Sequence, residues 1–522
     1  MKRYILSALT VVLASTAFSQ TVFEAVKTSQ NDIIGTARYM SVAGAFGALG
    51  GDVSAIKDNP AGLGIFRKSE LTATVDAQLQ ITNSLWNNKS DNDDLYSPGM
   101  NNLTLVLAGK TWRAESGYAG LVNSNFSFSY NKLRNFNRNI KVKSDAINKT
   151  MTDYFGVFAK NTPNDLRWND TSDFNPDILF NDEGFSWMEV LSSYARLIQP
   201  TYNANNEFLG WGPFLLDNVM ITPSYLLKES GGINEYSFAW SGNFSNRLYL
   251  GASFNLQSIN YLSESTYKEE YGNRYGMTLK NSLNLTGNGV NFNVGAIAVP
   301  VDFIRVGLSL HTPMFYNMGL TNYADLDYVT YTTDGFTPTP TNTKTFKLQT
   351  PLQFNVSTAF ILDKRGFLSV EYVFNNYSGM SLMNEENDSH AYDKENEHIS
   401  DMLQNARTIK IGGEYRLTDN FSLRAGFANT SNLTNSNLTK RFHETSVRTD
   451  PEYFSHNSTN YATFGLGYRE SNWYVDFAYV NQLINEDYYA YNSEDLLPDF
   501  QVTPANIKTS NNNIVATFGI KF

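Results

Sequence analysis

The chain has 522 residues, a formal net charge of −11 at pH 7 and no cysteine. A chain without cysteine forms neither disulfides nor thiolate metal sites, and an acidic balance argues against nucleic-acid binding. Aromatic residues make up 14% of the chain, yet no apolar run in it approaches the ~20 residues that a membrane-spanning helix needs.

The first 19 residues, MKRYILSALTVVLASTAFS, predict a secretory signal peptide. Lys2 and Arg3 give it a positive start, an apolar stretch follows from Ile5 to Leu13, and small residues precede the cleavage site. An exported chain that is acidic, rich in aromatic residues and poor in helix patterns is typical of a transmembrane β-barrel. A secreted, soluble all-β protein is the alternative at this point.

Residues 20–68 are rich in glycine and alanine and do not alternate. Asp52 is placed to cap a short helix at 53–57, and Pro60 and Gly62 favour a turn after it. The segment is too short for a stable domain of its own, whereas its small residues permit close packing. We therefore expect it to plug the lumen of the barrel, with a loose periplasmic tail as the alternative.

From residue 69 to residue 522 the chain shows repeated period-two alternation, which predicts β-strands with one apolar and one polar face. In RLYLGASFNLQSINYL (247–262), for example, leucine, alanine and phenylalanine occupy alternate positions. The fourteen predicted segments are 69–83, 101–111, 118–133, 232–243, 246–262, 284–299, 303–312, 345–362, 366–378, 405–417, 420–430, 457–469, 472–485 and 508–522.

The connections between these segments alternate between short turns and long loops. The predicted long loops are 84–100, 134–231, 263–283, 313–344, 379–404, 431–456 and 486–507. This asymmetry is typical of a barrel in the outer membrane, where short turns and both chain termini face the periplasm, and lipid requires the sheet to close. The sequence predicts an all-β, 14-stranded antiparallel transmembrane barrel.

The longest loop, 134–231, contains apolar residues at helical spacing in DEGFSWMEVLSSYARLI, followed by FLGWGPFLL. We interpret this surface as a capture groove for a hydrophobic ligand, with packing against a neighbouring element as the alternative. The candidate groove residues are Trp187, Leu191, Tyr194, Ile198, Trp211 and Phe214.

Alternation also places charged residues on the polar, lumen-facing side of the strands. Basic groups there suit a ligand carboxylate, or they form ion pairs that hold the plug. We expect the second role for Arg305, Arg416 and Arg424, which lie near short turns. The candidate lumen charges are Arg305, Lys410, Arg424 and Glu371. At the end of the chain, Phe518, Ile520 and Phe522 resemble the signal read by the machinery that inserts barrels into the outer membrane.

Two segments carry a family resemblance. GTARYMSVAGAFGALGGDVSAIKDNPAGL (35–63), directly followed by a strand, resembles the N-terminal hatch of the FadL/TodX family, and GNGVNFNVGAIAVPVDFIRVGLSLHTPMFY (287–316) is similar to a family hairpin. The resemblance implies an outer-membrane transporter of long-chain fatty acids and hydrophobic hydrocarbons. It also implies that the hatch motif Asn59, Pro60, Ala61 and Gly62 belongs to the plug, and that ligand is captured outside and leaves sideways through the wall.

Motifs for catalysis and cofactors are scarce. The chain contains no GxSxG and no HExxH, and its acidic loops lack the EF-hand pattern, so we expect no catalytic residue, no metal and no cofactor. A surface triad is a minor alternative. Loop histidines keep uptake of haem or another aromatic ligand open, and a structural or adhesive barrel is a further alternative. These histidines are His390, His398, His443 and His456.

Overall fold

A closed antiparallel sheet dominates the computed structural model. One 19-stranded sheet closes where β1 (Glu70–Trp86) pairs both with β2 (Lys89–Lys110) and with the last strand, β21 (Ala505–Lys521). The structure describes residues 22–111, 119–159, 179–181, 184–214, 219–272, 274–363, 365–435, 438–442, 445–492, 496 and 501–522. The predicted signal peptide lies outside these residues.

Fourteen strands form the wall, as the sequence predicts. The remaining sheet strands are β3 Leu121–Asn135, β4 Arg138–Lys143, β7 Ile221–Phe244, β8 Leu248–Tyr271, β9 Tyr275–Val301, β10 Ile304–His311, β11 Phe315–Val329, β12 Asp334–Pro338, β13 Asn342–Gln349, β14 Gln353–Ile361, β15 Gly366–Asn376, β16 Ser381–Met383, β17 Asn405–Arg416, β18 Phe421–Thr430, β19 Tyr453–Arg469 and β20 Trp473–Tyr489. Four wall strands consist of two collinear segments each, namely β3/β4, β10/β11, β13/β14 and β15/β16, and β12 is a side arm on β11.

Helices are short, and none in the described part of the chain is long and apolar enough to cross a membrane. They are α1 Val22–Ser29, α2 Ala37–Ser41, α3 Ala55–Asp58, α4 Met151–Phe158, α5 Trp187–Tyr194 and α6 Asp393–Met402, with 3-10 turns at Pro60–Ile65, Tyr377–Gly379 and His390–Tyr392. A separate hairpin, β5 (Ile198–Tyr202) and β6 (Phe208–Pro213), lies between α5 and β7.

The alternation of the wall strands has the predicted consequence. On β1 the side chains of Leu71, Val75 and Leu79 are exposed on the outer surface, whereas Thr72 and Thr74 between them are fully buried. Large apolar side chains are exposed in the same way on the two neighbouring strands, for example Leu103 and Leu107 on β2 and Phe518 on β21. The barrel therefore carries an apolar belt around a polar interior, which is the surface that lipid requires.

Three predicted loops are mostly strands instead. The loop predicted at 313–344 contains β11, β12 and the start of β13. Residues 84–100 form the ends of β1 and β2 around a turn at Asn87 and Asn88, both with positive φ, and most of 263–283 extends β8 and β9. These parts rise above the apolar belt. There the exposed face is largely polar, and the buried face carries side chains such as Trp86, Tyr267 and Met277. The outward-facing apolar residues of the belt are absent, so the prediction was wrong at these positions.

Residues 22–68 lie inside the closed sheet. The Ala37 nitrogen donates to the Thr517 hydroxyl at 2.7 Å on β21, and the Asn125 amide on β3 donates to the Leu63 carbonyl at 2.8 Å. Helices α2 and α3 and the turn Pro60–Ile65 occupy the half of the lumen nearer the short turns. Helix α1 lies in the other half, below a cap formed by α4, α5 and the β5–β6 hairpin.

Candidate functional site

The Asn-Pro-Ala motif rests on glycines of the wall. A Cβ atom at Gly251 would lie 2.4 Å from the Pro60 carbonyl carbon, and one at Gly295 would lie 2.0 Å from the Asn59 Oδ1. The Asn59 side chain accepts from the Ala61 nitrogen at 3.1 Å and donates to the Gly47 carbonyl at 2.7 Å. The motif thus fixes the turn that follows it and depends on the absence of side chains beneath it.

Helix α2 ends on a second set of glycines, on the opposite side of the lumen. Cβ atoms at Gly412 and Gly426 would lie 2.3 Å and 2.4 Å from backbone atoms of Val42, and one at Gly465 would lie 2.4 Å from the Cβ of Ser41. A Cβ atom at Gly307 would lie 2.4 Å from the Gly47 carbonyl oxygen. We call Gly251, Gly295 and Gly307 the first glycine platform, and Gly412, Gly426 and Gly465 the second.

Two predicted lumen charges, Lys410 and Glu371, contact the N-terminal segment together. The Lys410 ammonium lies 2.9 Å from the Glu371 carboxylate and 3.4 Å from that of Asp58. Glu371 also accepts from the Gly47 nitrogen at 2.7 Å. Lys410 and Glu371 are buried and paired, so these charges hold the segment, while Lys410 and the half-buried Asp58 also border a cavity.

Arginines near the short turns make similar contacts. The Nη1 atom of Arg305 donates to the Leu49 carbonyl at 2.8 Å. Arg424 reaches the segment indirectly, through Glu414, which accepts from Arg424 at 2.7 Å and from Arg38 at 2.9 Å. Arg416 is exposed at the end of β17, so it does not share this role.

A cavity of about 210 Å³ lies above these contacts, beside α1. Its wall combines apolar side chains with a charged cluster centred on Glu229. This carboxylate lies 2.6 Å from both the Lys27 ammonium and the Nε atom of Arg138, and it accepts from the Tyr261 hydroxyl. Burial lowers the pKa of Lys27 to about 8, an effect that the Glu229 charge opposes. We call this space the upper cavity.

Arg134 lines the upper cavity without such a partner. Its Nη1 atom donates to the backbone carbonyls of Lys27 (3.0 Å) and Gln30 (3.3 Å) at the end of α1, and its guanidinium lies 5.5 Å from the Phe136 ring. Within the described residues no carboxylate lies within 4.0 Å of it. Arg134 is therefore a cation that a bound anion can still neutralise.

A second cavity, of about 180 Å³, lies between the N-terminal segment and the wall. Its lining includes Lys57, Asp58, His311 and Lys410, and it shares Gln30, Asp32, His456 and Thr459 with the upper cavity. The shared residues make the two cavities direct neighbours. We call the second one the lower cavity.

The predicted capture groove is closed in this structure. Trp187, Leu191, Ile198, Trp211 and Phe214 are all at least nine-tenths buried in the core of the cap, and only Tyr194, at 37%, is exposed. The backbone nitrogen of Trp187 also donates to the Ser446 carbonyl at 3.0 Å. Their burial agrees with the packing alternative, and capture at this place stays a prediction.

The histidines are dispersed. His390 is exposed beside Asp393, His456 is half-buried beside Thr459 and His311 bonds to the Asp58 carbonyl, while His443 lies outside the described residues. Among the residues that the structure describes, no group of three or more histidine, cysteine or acidic side chains is placed to hold a metal ion.

Two kinds of functional residue escaped the sequence analysis. The platform glycines carry a usable signal, since they occupy positions of the polar, inward face where a side chain would normally fill the lumen. Arg134 carried none, because it was assigned to the start of the long outer loop and not to a wall strand.

Residues 246–504, about half of the chain, match the family model described as outer membrane protein transport protein (OMPP1/FadL/TodX). The chain belongs to the FadL/TodX family. It is thus an outer-membrane β-barrel of a family that transports hydrophobic molecules.

Solved structures share the fold of this FadL/TodX protein. A Pseudomonas aeruginosa FadL homologue is 12% identical over 94% of this chain and 100% of its own, with a TM-score of 0.51. The P. putida toluene transporter TodX is 10% identical over 95% and 99%, with a TM-score of 0.50. No curated protein matches the sequence.

Proposed function

We propose that this FadL/TodX-family protein passes long-chain fatty acids inward across the outer membrane by diffusion, without a cofactor or a catalytic step. Residues 20–68 act as the plug, and the short turns and both termini face the periplasm. Ligand enters from the outer loops, occupies the upper cavity and then passes the plug. The observation that carries the choice of ligand is the position of Arg134.

A fatty acid suits the upper cavity because it joins an apolar chain to one negative charge. The apolar side chains of Val22, Val26 and Leu227 line the same space as Arg134. A cation in such surroundings gains from an anionic ligand, since charge-assisted hydrogen bonds are stronger where water is scarce. With a neutral hydrocarbon bound, the charge of Arg134 would lack an anionic partner, and its desolvation would cost free energy.

Four lysine and arginine side chains line the upper cavity, and they differ in what they offer. Lys440 pairs with Asp450 at 2.7 Å. Lys27 and Arg138 are shared with Glu229, so the carboxylate of a ligand competes for them. Arg134 gives up only hydrogen bonds to neutral carbonyls. We therefore expect it to be the main contact for the ligand carboxylate, with Lys27 adding a weaker, longer-range attraction.

Ligand binding to purified variants tests this proposal. Arg134→Ala should weaken palmitate binding by about 10- to 100-fold, because hydrogen bonds to charged groups contribute roughly 1.5–3 kcal/mol. Binding of hexadecanol, which has the same chain and no charge, should change little. Arg247→Ala is a matched control, since this arginine is exposed at a short turn and pairs with Asp302.

An equal loss for palmitate and hexadecanol in Arg134→Ala would assign the arginine a structural role only. Tight binding of monoaromatic hydrocarbons with no binding of palmitate would contradict the proposed ligand class, and bound haem in the purified protein would contradict it as well.

A further inference from the structure

The upper and lower cavities meet at four residues that border both spaces. These residues are Gln30, Asp32, His456 and Thr459, and we call them the neck. Asp32 also borders a third cavity of about 20 Å³, between the N-terminal segment and the wall. A ligand that moves from the upper to the lower cavity passes these side chains. Asp32 is the acidic member of the neck, so its charge acts on the head group of that ligand.

Neutral groups hold Asp32 in the neck. Its backbone nitrogen donates to the Leu133 carbonyl on β3 at 2.9 Å. Its Oδ1 atom accepts from the Gln482 amide at 3.2 Å and from the Tyr461 hydroxyl at 3.4 Å. The amide oxygen of Gln482 accepts from Asn511 at 2.9 Å, which turns the amino group of Gln482 toward Asp32. In the described part of the chain no cation lies within 4.0 Å of the Asp32 carboxylate, so no ion pair there neutralises its charge.

Cations bond to the chain on both sides of Asp32. The Nη1 atom of Arg134, which lines the upper cavity, donates to the Gln30 carbonyl at 3.3 Å. The ammonium group of Lys57, which lines the lower cavity, donates to the Ile34 carbonyl at 2.5 Å. A ligand carboxylate on this path therefore meets an attractive charge, then the repulsive charge of Asp32, and then a second attractive charge.

This order of charges separates ligands that share the same apolar chain. Like charges repel, and their repulsion is stronger inside a protein than in water because the local dielectric constant is lower. A carboxylate that leaves Arg134 for the lower cavity loses a favourable contact and approaches Asp32. A hydroxyl head group meets no such repulsion, and it can donate a hydrogen bond to the Asp32 carboxylate.

We propose that Asp32 is a specificity-determining residue, which holds back an ionised ligand at the neck and lets an uncharged ligand of the same chain length pass. This inference rests on the proposed transport function and adds a selection step inside the barrel. An ionised fatty acid waits at Arg134, and its passage through the neck, not its binding, limits delivery. The barrier is carried by the N-terminal segment and not by the wall.

Removal of one charge tests this barrier. Asp32→Asn keeps the size of the side chain and the oxygen that accepts from Gln482. Delivery of palmitate to albumin enclosed in proteoliposomes, corrected for protein-free liposomes, should rise by at least tenfold, whereas delivery of hexadecanol should stay within twofold of the wild type. The assay is run at about pH 7.5, where histidine side chains are mostly neutral, so that His456 does not offset the charge at the neck.

Two further variants separate charge from shape. Asp32→Glu keeps the charge and should retain the slow delivery of palmitate. Asp302→Asn is the matched control, since this carboxylate is 90% exposed at a short turn and pairs with Arg247. It should leave the delivery of both ligands unchanged.

Palmitate binding is measured on the same samples, so that failure of the inference and failure of the proposed function are distinguishable. Faster delivery of palmitate alone, with binding unchanged or tighter, supports the barrier. Equal acceleration of palmitate and hexadecanol would indicate a wider neck and overturn the barrier, and so would palmitate delivery at the wild-type rate. Absent palmitate binding in the wild type contradicts the proposed function itself.

A variant that adds a charge covers the case in which Asp32→Asn does not fold. Thr459→Asp places a second carboxylate at the neck and keeps an oxygen for the His456 Nε2 atom, which lies 2.8 Å from the Thr459 hydroxyl. Palmitate delivery should fall by at least tenfold while hexadecanol delivery stays within twofold. An equal fall for both ligands, or no fall, would overturn the proposal.

Discussion

Replacing Gly251 by alanine should loosen the plug at the Asn-Pro-Ala motif. The new Cβ atom would lie 2.4 Å from the Pro60 carbonyl carbon and 2.5 Å from the Ala61 nitrogen, where ordinary contacts are about 3.4–4 Å. Both partners are backbone atoms, so the turn must move by about 1 Å. Such overpacking costs roughly 1–3 kcal/mol.

That movement also strains hydrogen bonds between the motif and the wall. The Ser241 hydroxyl donates to the Ala61 carbonyl at 3.2 Å, and Asn59 donates to the Ala296 carbonyl at 3.3 Å. Loss of both adds about 1 kcal/mol each. We expect docking of residues 59–66 to weaken by roughly 3–5 kcal/mol, about two to four orders of magnitude in the docking equilibrium.

The assay is passive leak of a small sugar from proteoliposomes, combined with protease sensitivity of residues 20–68. Gly413→Ala is the matched control, because its Cβ would meet only Phe367 and Leu368 at 3.3 Å and 3.8 Å and no atom of the plug within 4 Å. Equal leak and equal protection in the two variants would refute the idea that close backbone approach holds the plug.

Three further predictions follow from other contacts. Palmitate affinity should fall as pH rises through about 8, because Lys27 then loses its charge, whereas Lys27→Arg should abolish this pH dependence. A titration curve that is the same for both proteins would contradict a role for Lys27. Deleting residues 21–58 should raise passive leak strongly, and an unchanged leak would exclude the plug assignment. Glu269 accepts hydrogen bonds from four groups, including the Thr150 hydroxyl and the Met151 nitrogen. Each hydrogen bond to a charged group contributes about 1.5 kcal/mol. Glu269→Gln should therefore raise the rate of hydrogen exchange in α4 by at least tenfold. Exchange at the wild-type rate would show that this carboxylate does not fasten the cap.

The wall was predictable from the sequence because lipid imposes a strict pattern on it. Every second residue of a strand such as β8 must be apolar over the height of the belt. This constraint produces a period-two alternation in the sequence. The same pattern ends above the belt, which is why the upper parts of β1, β2, β8 and β9 were interpreted as loops. A strand surface that faces water can carry polar side chains at any position, so it leaves no comparable alternation in the sequence.

The site was less predictable, since it depends on which elements meet. Helical spacing around Trp187 and Leu191 shows that one face of α5 is buried but not what covers it. Lys410 and Glu371 are buried on wall strands, yet alternation does not specify whether their partner is ligand or plug. The role of Arg134 depends on its contact with the end of α1, which the sequence does not indicate.

The contacts of residues 22–68 also constrain the order of assembly. This segment is synthesised first, but its partners are spread from β3 to β21, and Ala37 binds a residue 480 positions later in the chain. The two glycine platforms exist only after β8, β9 and β10 have paired on one side and β17, β18 and β19 on the other. Complete docking of the segment therefore requires that these strands have paired. With residues 20–68 as the proposed plug, a barrel that closes before the segment docks is open, and the speed with which the segment folds into place sets how long the outer membrane is leaky at that point.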